Sequence, residues 1–244
     1  TIRDLAITAL KQNKKPKAAI KAVRKLLHSI MAPYLGDPDY ETMAVALDAT
    51  FKTGDAEAIE DLCLAILNDH LSNRERVPIM GDFFTRIWEV TGQPKVLMDI
   101  ACALNPLAFL WMDLPITTQI YAYDIHEPRI EFINHYFSLQ GLAPLAKVQD
   151  VALEPIVESA DVALFLKEMP RFARNYPGQE RLLLESIKAE WLVLSFPTVS
   201  THGGRNLTDR YRDFMTKLVD GHDWPVIELL FDGELVCCVH KGLA

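Results

Sequence analysis

Val226-Ile227-Glu228-Leu229-Leu230-Phe231-Asp232-Gly233-Glu234-Leu235-Val236-Cys237-Cys238-Val239-His240 lies near the end of the sequence. Two apolar β-type runs are separated here only by Asp232-Gly233, the pair that favours a two-residue hairpin turn. The second run must therefore lie antiparallel to the first. Five earlier runs of the same type occupy residues 95–101, 119–125, 146–151, 161–167 and 191–197. Segments long enough for crossover helices, such as 128–139 and 179–188, lie between them. Strand–helix alternation predicts a parallel sheet with helices on both faces. The expectation is an α/β sheet of seven strands whose last strand is antiparallel. A plain dinucleotide-binding fold does not carry that terminal hairpin.

Before residue 93 the spacing is helical. Pro16 stands at a helix start, followed by Ile20, Val23, Leu26, Leu27 and Ile30 at three- and four-residue steps. Asp37-Pro38 opens a second helix, Gly54-Asp55 breaks it and caps a third, and Ser72 with Glu75 reads as a capping box for a fourth. Gln93-Pro94 then marks the change of pattern. The expected division is a helical N-terminal domain over 1–92 and a sheet domain over 93–244.

The chain has 244 residues, half of them hydrophobic and 24% charged, which excludes disordered, collagenous and low-complexity classes. Cys63, Cys102, Cys237 and Cys238 show no CxxC pairing and no zinc-ligand spacing, so they read as reduced thiols of a cytoplasmic protein without metal. No uncharged apolar run approaches the length of a membrane span. The net charge is −8 but is unevenly spread: residues 1–35 carry eight basic side chains and one acid. Lys14 and Lys15 fall just before the first helix, and Lys17, Lys21, Arg24 and Lys25 lie largely off its apolar stripe. Such a cluster fits a polyanion, and equally a solvated helix face.

In doubly wound sheets the ligand lies at the carboxyl ends of the strands. The first strand runs Val96-Leu97-Met98-Asp99 into Ile100-Ala101-Cys102-Ala103-Leu104-Asn105-Pro106. Many cofactor loops carry an acid-x-Gly-x-Gly pattern at this place, and here both glycine positions are alanines. The second strand ends Tyr123-Asp124-Ile125-His126, placing an acid where ribose hydroxyls are commonly held. The third ends Gln149-Asp150-Val151, placed to meet an adenine edge. Any one acid is ordinary in a turn. Acids after three successive strands form a pattern similar to that of class I S-adenosylmethionine (SAM) methyltransferases, as is the terminal hairpin.

Residues 99–106, D-I-A-C-A-L-N-P, resemble the D-I-A-C-G-L-N-P segment of the aminoglycoside-resistance 16S rRNA (guanine-N7) methyltransferases. His70-Leu71-Ser72-Asn73-Arg74-Glu75-Arg76 is similar to that family's H-x-S-T-K-E-R. Tyr123-Asp124-Ile125-His126 and Gln149-Asp150-Val151 match its C-D-I-H and Q-D-V. Phe165-Leu166-Lys167-Glu168-Met169-Pro170 corresponds to its F/L-K-x-x-P. Ser195-Phe196-Pro197-Thr198, Ser200 and Gly203-Gly204-Arg205 resemble its S-F-P-T-x-S-L-G-G-R. The order is kept over nearly the whole chain.

The resemblance implies an N-terminal rRNA-binding domain and a SAM-binding domain, with S-adenosylhomocysteine as product. It implies methylation of a guanine N7 in the decoding site of 16S rRNA in the 30S subunit, aminoglycoside resistance, and a cytoplasmic monomer. It assigns the cofactor to Arg76, Asp99, Ala101, Ala103, Asn105, Asp124, Ile125, Gln149, Asp150 and Val151, with Arg76 reaching the SAM carboxylate. Phe196 and Pro197 are expected to form a platform for the flipped guanine, Phe196 being otherwise a core side chain ending a strand. Lys167 and Arg205 are expected on phosphate or base, or as partners in ion pairs. Guanine N7 carries a lone pair in the neutral base, so no general base is needed, and positioning with charge stabilisation suffices.

Three positions depart from the family pattern. Ala103 replaces the motif glycine, and its methyl is expected to crowd the cofactor. Val199 stands where Arg is frequent, and Thr201-His202 lengthens a loop by one residue. A rival of another class is a non-catalytic RNA-binding protein with a degenerate methyltransferase fold. The two alanines favour it; the three retained acids do not.

Overall fold

The computed structural model describes residues 7, 9–11, 13, 15–31, 38–69, 71–200, 204 and 206–242, with backbone alone for 26–31 and 71–72. The chain divides into two compact units, Thr1–Pro38 and Asp39–Ala244.

The first unit contains helix α1, Pro16–Met31. Pro16 suits a first turn because its missing N–H would have no helical partner there. Ala19 is buried, whereas Ile20, expected on the apolar stripe, is 53% exposed. Lys15, Lys17, Lys21, Arg24 and Lys25 are exposed. Lys14 lies outside the described residues.

The second unit opens with α2 (Tyr40–Thr53), capped by Asp39, whose carboxylate accepts from Thr42 N–H and the Thr42 hydroxyl; Asp37, expected at its start, lies outside the described residues. Gly54, at φ 69°, ends the helix in the left-handed conformation that glycine adopts without strain. Helix α3 (Ala56–Asp69) follows. The expected capping box at Ser72 does not start the next long helix. A short helix α4 (Leu71–Arg74) and a 3₁₀ turn (Val77–Ile79) precede α5 (Met80–Thr91). Pro78, which lacks an N–H, interrupts the helical ladder here. The resulting bend turns Arg76 inward, to 2% exposure.

The sheet comprises β1 (Val96–Ile100), β2 (Gln119–Asp124), β3 (Ala146–Val148), β4 (Ser159–Leu166), β5 (Lys188–Pro197), β6 (Val226–Phe231) and β7 (Glu234–His240). Their order is β3-β2-β1-β4-β5-β7-β6. Strand β7 is antiparallel to both neighbours, and the other pairings are parallel, as the Asp232-Gly233 turn requires. The crossovers are a 3₁₀ segment (Asn105–Trp111), α6 (Glu127–Gln140), the loop 149–158, the pair α7 (Met169–Asn175) and α8 (Glu180–Ser186), and α9 (Thr208–Val219). The fourth crossover thus holds two short helices where one was expected over 179–188.

Side-chain alternation sorts the core into two faces. Leu97 and Val193 face Leu47, Ile66, Phe83, Phe84 and Trp88 of the preceding helices. Met98, Leu192, Leu194 and Phe196 face Phe172, Leu184, Tyr211 and Met215 of α7, α8 and α9. Helices α2, α3 and α5 therefore share a core with the sheet. The compact units separate at residue 38, and Leu47, Ile66 and Phe84 pack in one core with residues of the sheet.

Candidate functional site

Strand β1 lies between β2 and β4, with the chain crossing outward on either side, so the switch point of the sheet falls at its carboxyl end. Beyond Ile100 the loop turns through Ala101 at φ 52° and Ala103 at φ 48°. This left-handed conformation strains a residue with a Cβ. The loop is held there by hydrogen bonds to β2: Cys102 N–H donates to the Tyr123 carbonyl at 3.0 Å, and Ala103 N–H to Asp124 Oδ2 at 3.1 Å.

Asp124, ending β2, is buried. It also accepts from His126 N–H at 3.0 Å and pairs with Arg129 Nη1 at 3.0 Å. The acid therefore fixes both the strained loop and the first turn of α6. Ile125 beside it is 41% exposed, leaving apolar surface at the edge. Past β3, Gln149 N–H donates to the Asp124 carbonyl at 2.9 Å. The Gln149 side chain reaches the Glu154 and Pro155 carbonyls. Asp150 and Val151 are half-buried, and Asp150 Oδ1 accepts from Ala152 N–H.

Asp99 starts a second set of contacts. Its Oδ2 accepts from Asn105 Nδ2 at 2.8 Å, and Asn105 Oδ1 accepts from Arg76 Nη1 at 3.0 Å. Arg76 Nη2 donates to Glu234 Oε1 at 2.8 Å, and its guanidinium lies 4.7 Å above the Phe83 ring. Lys167, in the left-handed conformation at φ 60°, places Nζ 3.1 Å from Glu234 Oε2 and 2.8 Å from Glu75. A chain of charged and amide groups thus runs from the half-open Glu75 to the buried Asp99. Burial pushes the Asp99 carboxyl up to about 7; the Asn105 bond and Arg76 pull it back only in part, and Asp124 adds to the rise. Burial would raise Glu234 too, but Arg76 and Lys167, with bonds from Arg76 and Ser195, hold it below its ordinary value.

The structure gathers Arg76, Asp99, Asn105 and Lys167 in one network, and Ala101, Ala103 and Asp124 in another. Ile125, Gln149, Asp150 and Val151 stand on the same edge. At two positions the geometry matches the second of the two readings given for the residue. Phe196 is fully buried, stacked on Tyr211 at 4.8 Å with Phe214 edge-on, so it offers no face to a flipped base. Strand parity is the reason: Phe196 points with Leu192 and Leu194 toward α9, while Ser195 and the half-buried Pro197 share the opposite face. Lys167 is an ion-pair partner of two carboxylates, with 9% of its side chain exposed, and is not free for phosphate. Arg205 lies outside the described residues.

Sequence reasoning missed Glu234, Arg129 and Ser195. Ser195 Oγ accepts from Lys167 N–H at 3.0 Å and so helps fix that strained residue. A lone acid opening the apolar run of β7 was the available sign for Glu234. Burial raises the thiols of Cys237 and Cys238 to about 12. All four cysteines are free and buried. Among the described residues no group of three or more His, Cys, Asp or Glu can hold a metal, and no helix is long and apolar enough to cross a membrane.

The family model described as ribosomal RNA methyltransferase (FmrO) matches residues 1–237. A 16S rRNA (guanine(1405)-N(7))-methyltransferase of Micromonospora rosea is 29% identical over 245 residues, covering 99% of this chain and 89% of that protein. One of Frankia casuarinae is 32% identical over 204 residues, covering 82% and 72%. The crystal structure of the 16S rRNA methyltransferase RmtF in complex with S-adenosyl-L-homocysteine is 30% identical, with a TM-score of 0.81 over 98% of this chain and 90% of that one.

Proposed function

The chain belongs to the ribosomal RNA methyltransferase (FmrO) family, and on that premise we propose that it methylates N7 of a guanine in 16S rRNA, using SAM. The target lies in the decoding site of the small ribosomal subunit, and its methylation gives aminoglycoside resistance. The protein acts as a monomer in the cytoplasm. The observation that carries this reading is the convergence of Asp99, Asp124 and Asp150 on one sheet edge, around a loop turned by Ala101 and Ala103.

The groups at that edge fit the cofactor. Asp124 meets the ribose, and Ile125, Gln149, Asp150 and Val151 border the adenine. The 101–105 loop, with Asp99 and Arg76 behind it, meets the methionine end. SAM supplies an activated methyl group on a sulfonium. The protein's own work is then to bind, orient and exclude water. Guanine N7 attacks as the neutral base, so no side chain needs to take a proton first. The target base must leave its stack, at a cost of a few kcal/mol. Pro197, on the Ser195 face of β5, borders the place where it enters. Lys14, Lys15, Lys17, Lys21, Arg24 and Lys25 contact rRNA phosphates, and Arg205 is a further contact with phosphate or base.

The test is incubation of the chain with labelled SAM and intact small ribosomal subunits, followed by mapping of the modified nucleotide. Label at one guanine of the decoding site, stable only as an N7 adduct, is the expected result. SAM binding without label on the subunit would move the target elsewhere. Absence of SAM binding would overturn the enzymatic reading altogether.

A further inference from the structure

Strand β7 runs against the parallel strands, so its first residue is delivered to the edge where they end. That residue is Glu234, 1% exposed and paired in register with Pro197 of β5 and Phe231 of β6. It is the only charged side chain in an otherwise apolar run from 234 to 239. A carboxylate buried this deeply persists only when it is paired and hydrogen-bonded. Cations from distant parts of the chain pair with it, Arg76 hydrogen-bonded to Oε1 at 2.8 Å and Lys167 as an ion pair 3.1 Å from Oε2.

The Arg76 guanidinium is constrained on three sides. One terminal nitrogen is on Glu234, the other on Asn105, and the Phe83 ring covers its face. Asn105 in turn holds Asp99 with its amide nitrogen. The orientation of the Asn105 amide, and with it the far end of the strained loop, is therefore set from β7. We propose that Glu234 is a positioning residue for SAM binding, acting through Arg76 and Asn105 on the 101–105 loop. This rests on the reading of that loop as the cofactor cradle. Glu234 itself touches neither cofactor nor substrate. Side chains that hold a binding group in place govern affinity through geometry, so their loss is read in the affinity of the group they support.

The experiment is calorimetric titration of SAM and S-adenosylhomocysteine into wild-type protein, Glu234→Gln, Asn105→Ala and the double variant, all well below their melting temperatures. Glu234→Gln is expected to raise Kd for SAM by about tenfold or more while leaving affinity for the small subunit unchanged. In the Asn105→Ala background the same change should add little, because the route is already cut. Glu234→Asp, which keeps the charge, should recover part of the affinity and serves if Glu234→Gln does not fold. A lowered melting temperature with unchanged Kd would make Glu234 merely structural and overturn the proposal. Fully additive losses would overturn the Asn105 route. A wild-type chain that binds no SAM would instead defeat the underlying reading and this proposal with it.

Discussion

Arg129 Nη1 lies 3.0 Å from Asp124 Oδ2, with both side chains almost fully buried, and Arg129 Nε reaches the Tyr40 hydroxyl at 3.0 Å. The acid that ends β2 is therefore also the counter-ion of a buried guanidinium tied to α2. Asp124→Ala should do more than weaken cofactor binding. It removes one buried carboxylate partner of Arg129, and breaking a buried ion pair is typically destabilising by about 3–5 kcal/mol. Urea unfolding should show that loss. Asp124→Asn, which keeps the shape, should lose less stability and still bind SAM at least tenfold more weakly, by the loss of charge-assisted bonds of roughly 1.5–3 kcal/mol each. Unchanged stability in Asp124→Ala would mean that the Arg129 pair contributes nothing.

Ala103→Gly should stabilise the protein. The left-handed conformation costs alanine about 1–2 kcal/mol, and glycine returns about 0.5–1 kcal/mol of that as chain entropy. The net gain is of order 0.5–1 kcal/mol, visible as a higher melting temperature. SAM should bind at least as tightly, since a methyl group leaves the cradle. Lower stability together with weaker SAM binding would show that the loop has adapted to alanine.

Asp99 gives a pH signature. Its carboxyl is raised to about 7 in the fold by burial, against about 3.9 in an unfolded chain. The folded state therefore holds the proton more tightly. Below about pH 4 Asp99 contributes no penalty; between about 4 and 7 stability falls as pH rises, and above 7 the penalty is complete. Asp99→Asn removes it. The variant should gain stability over wild type at pH 8 and little or none at pH 4.5, measured by denaturant midpoints. An equal gain at both values would exclude an ionisation effect.

Phe196→Leu should behave as a core substitution. Packed on Tyr211 and Phe214, the ring is a structural element, and its truncation should destabilise by about 1–3 kcal/mol. Methylation by the folded fraction should remain close to wild type. A stable variant with abolished methylation would return Phe196 to the base-binding site.

Lys17, Lys21 and Lys25 are exposed on α1. Changing all three to Glu should sharply weaken binding to the small subunit and flatten its salt dependence, since each phosphate contact releases counterions. Melting temperature and SAM affinity should barely move, because exposed substitutions usually stay within about 0.5 kcal/mol. Wild-type methylation in moderate salt would reduce the cluster to a solvated face.

The seven strands and the reversed last strand were legible because continuous apolar runs and an Asp-Gly turn are local signals. The acids at 99, 124 and 150 were legible for the same reason. The two readings of Phe196 could not be separated because residues 192–196 are buried on both sides of the sheet, where no polar alternation reveals which face a side chain takes. Glu234 escaped notice because an acid after a turn is ordinary, and its partner Arg76 lies 158 residues away. The bend that brings Arg76 inward was hidden by a capping-box pattern at Ser72, overridden by Pro78. The missing parts were long-range pairings, which spacing along a chain does not encode.

The two left-handed alanines have an evolutionary reading as well as an energetic one. Every alanine codon becomes a glycine codon by one change at its second base, so each strained position stands a single nucleotide from relief. A population held under limiting cofactor has two separate one-step routes to a relaxed loop. Neither route passes through a variant with a displaced backbone, because glycine adopts the same φ. Each left-handed φ belongs to its own residue, so relief at one leaves the cost at the other in place, and the two steps should add.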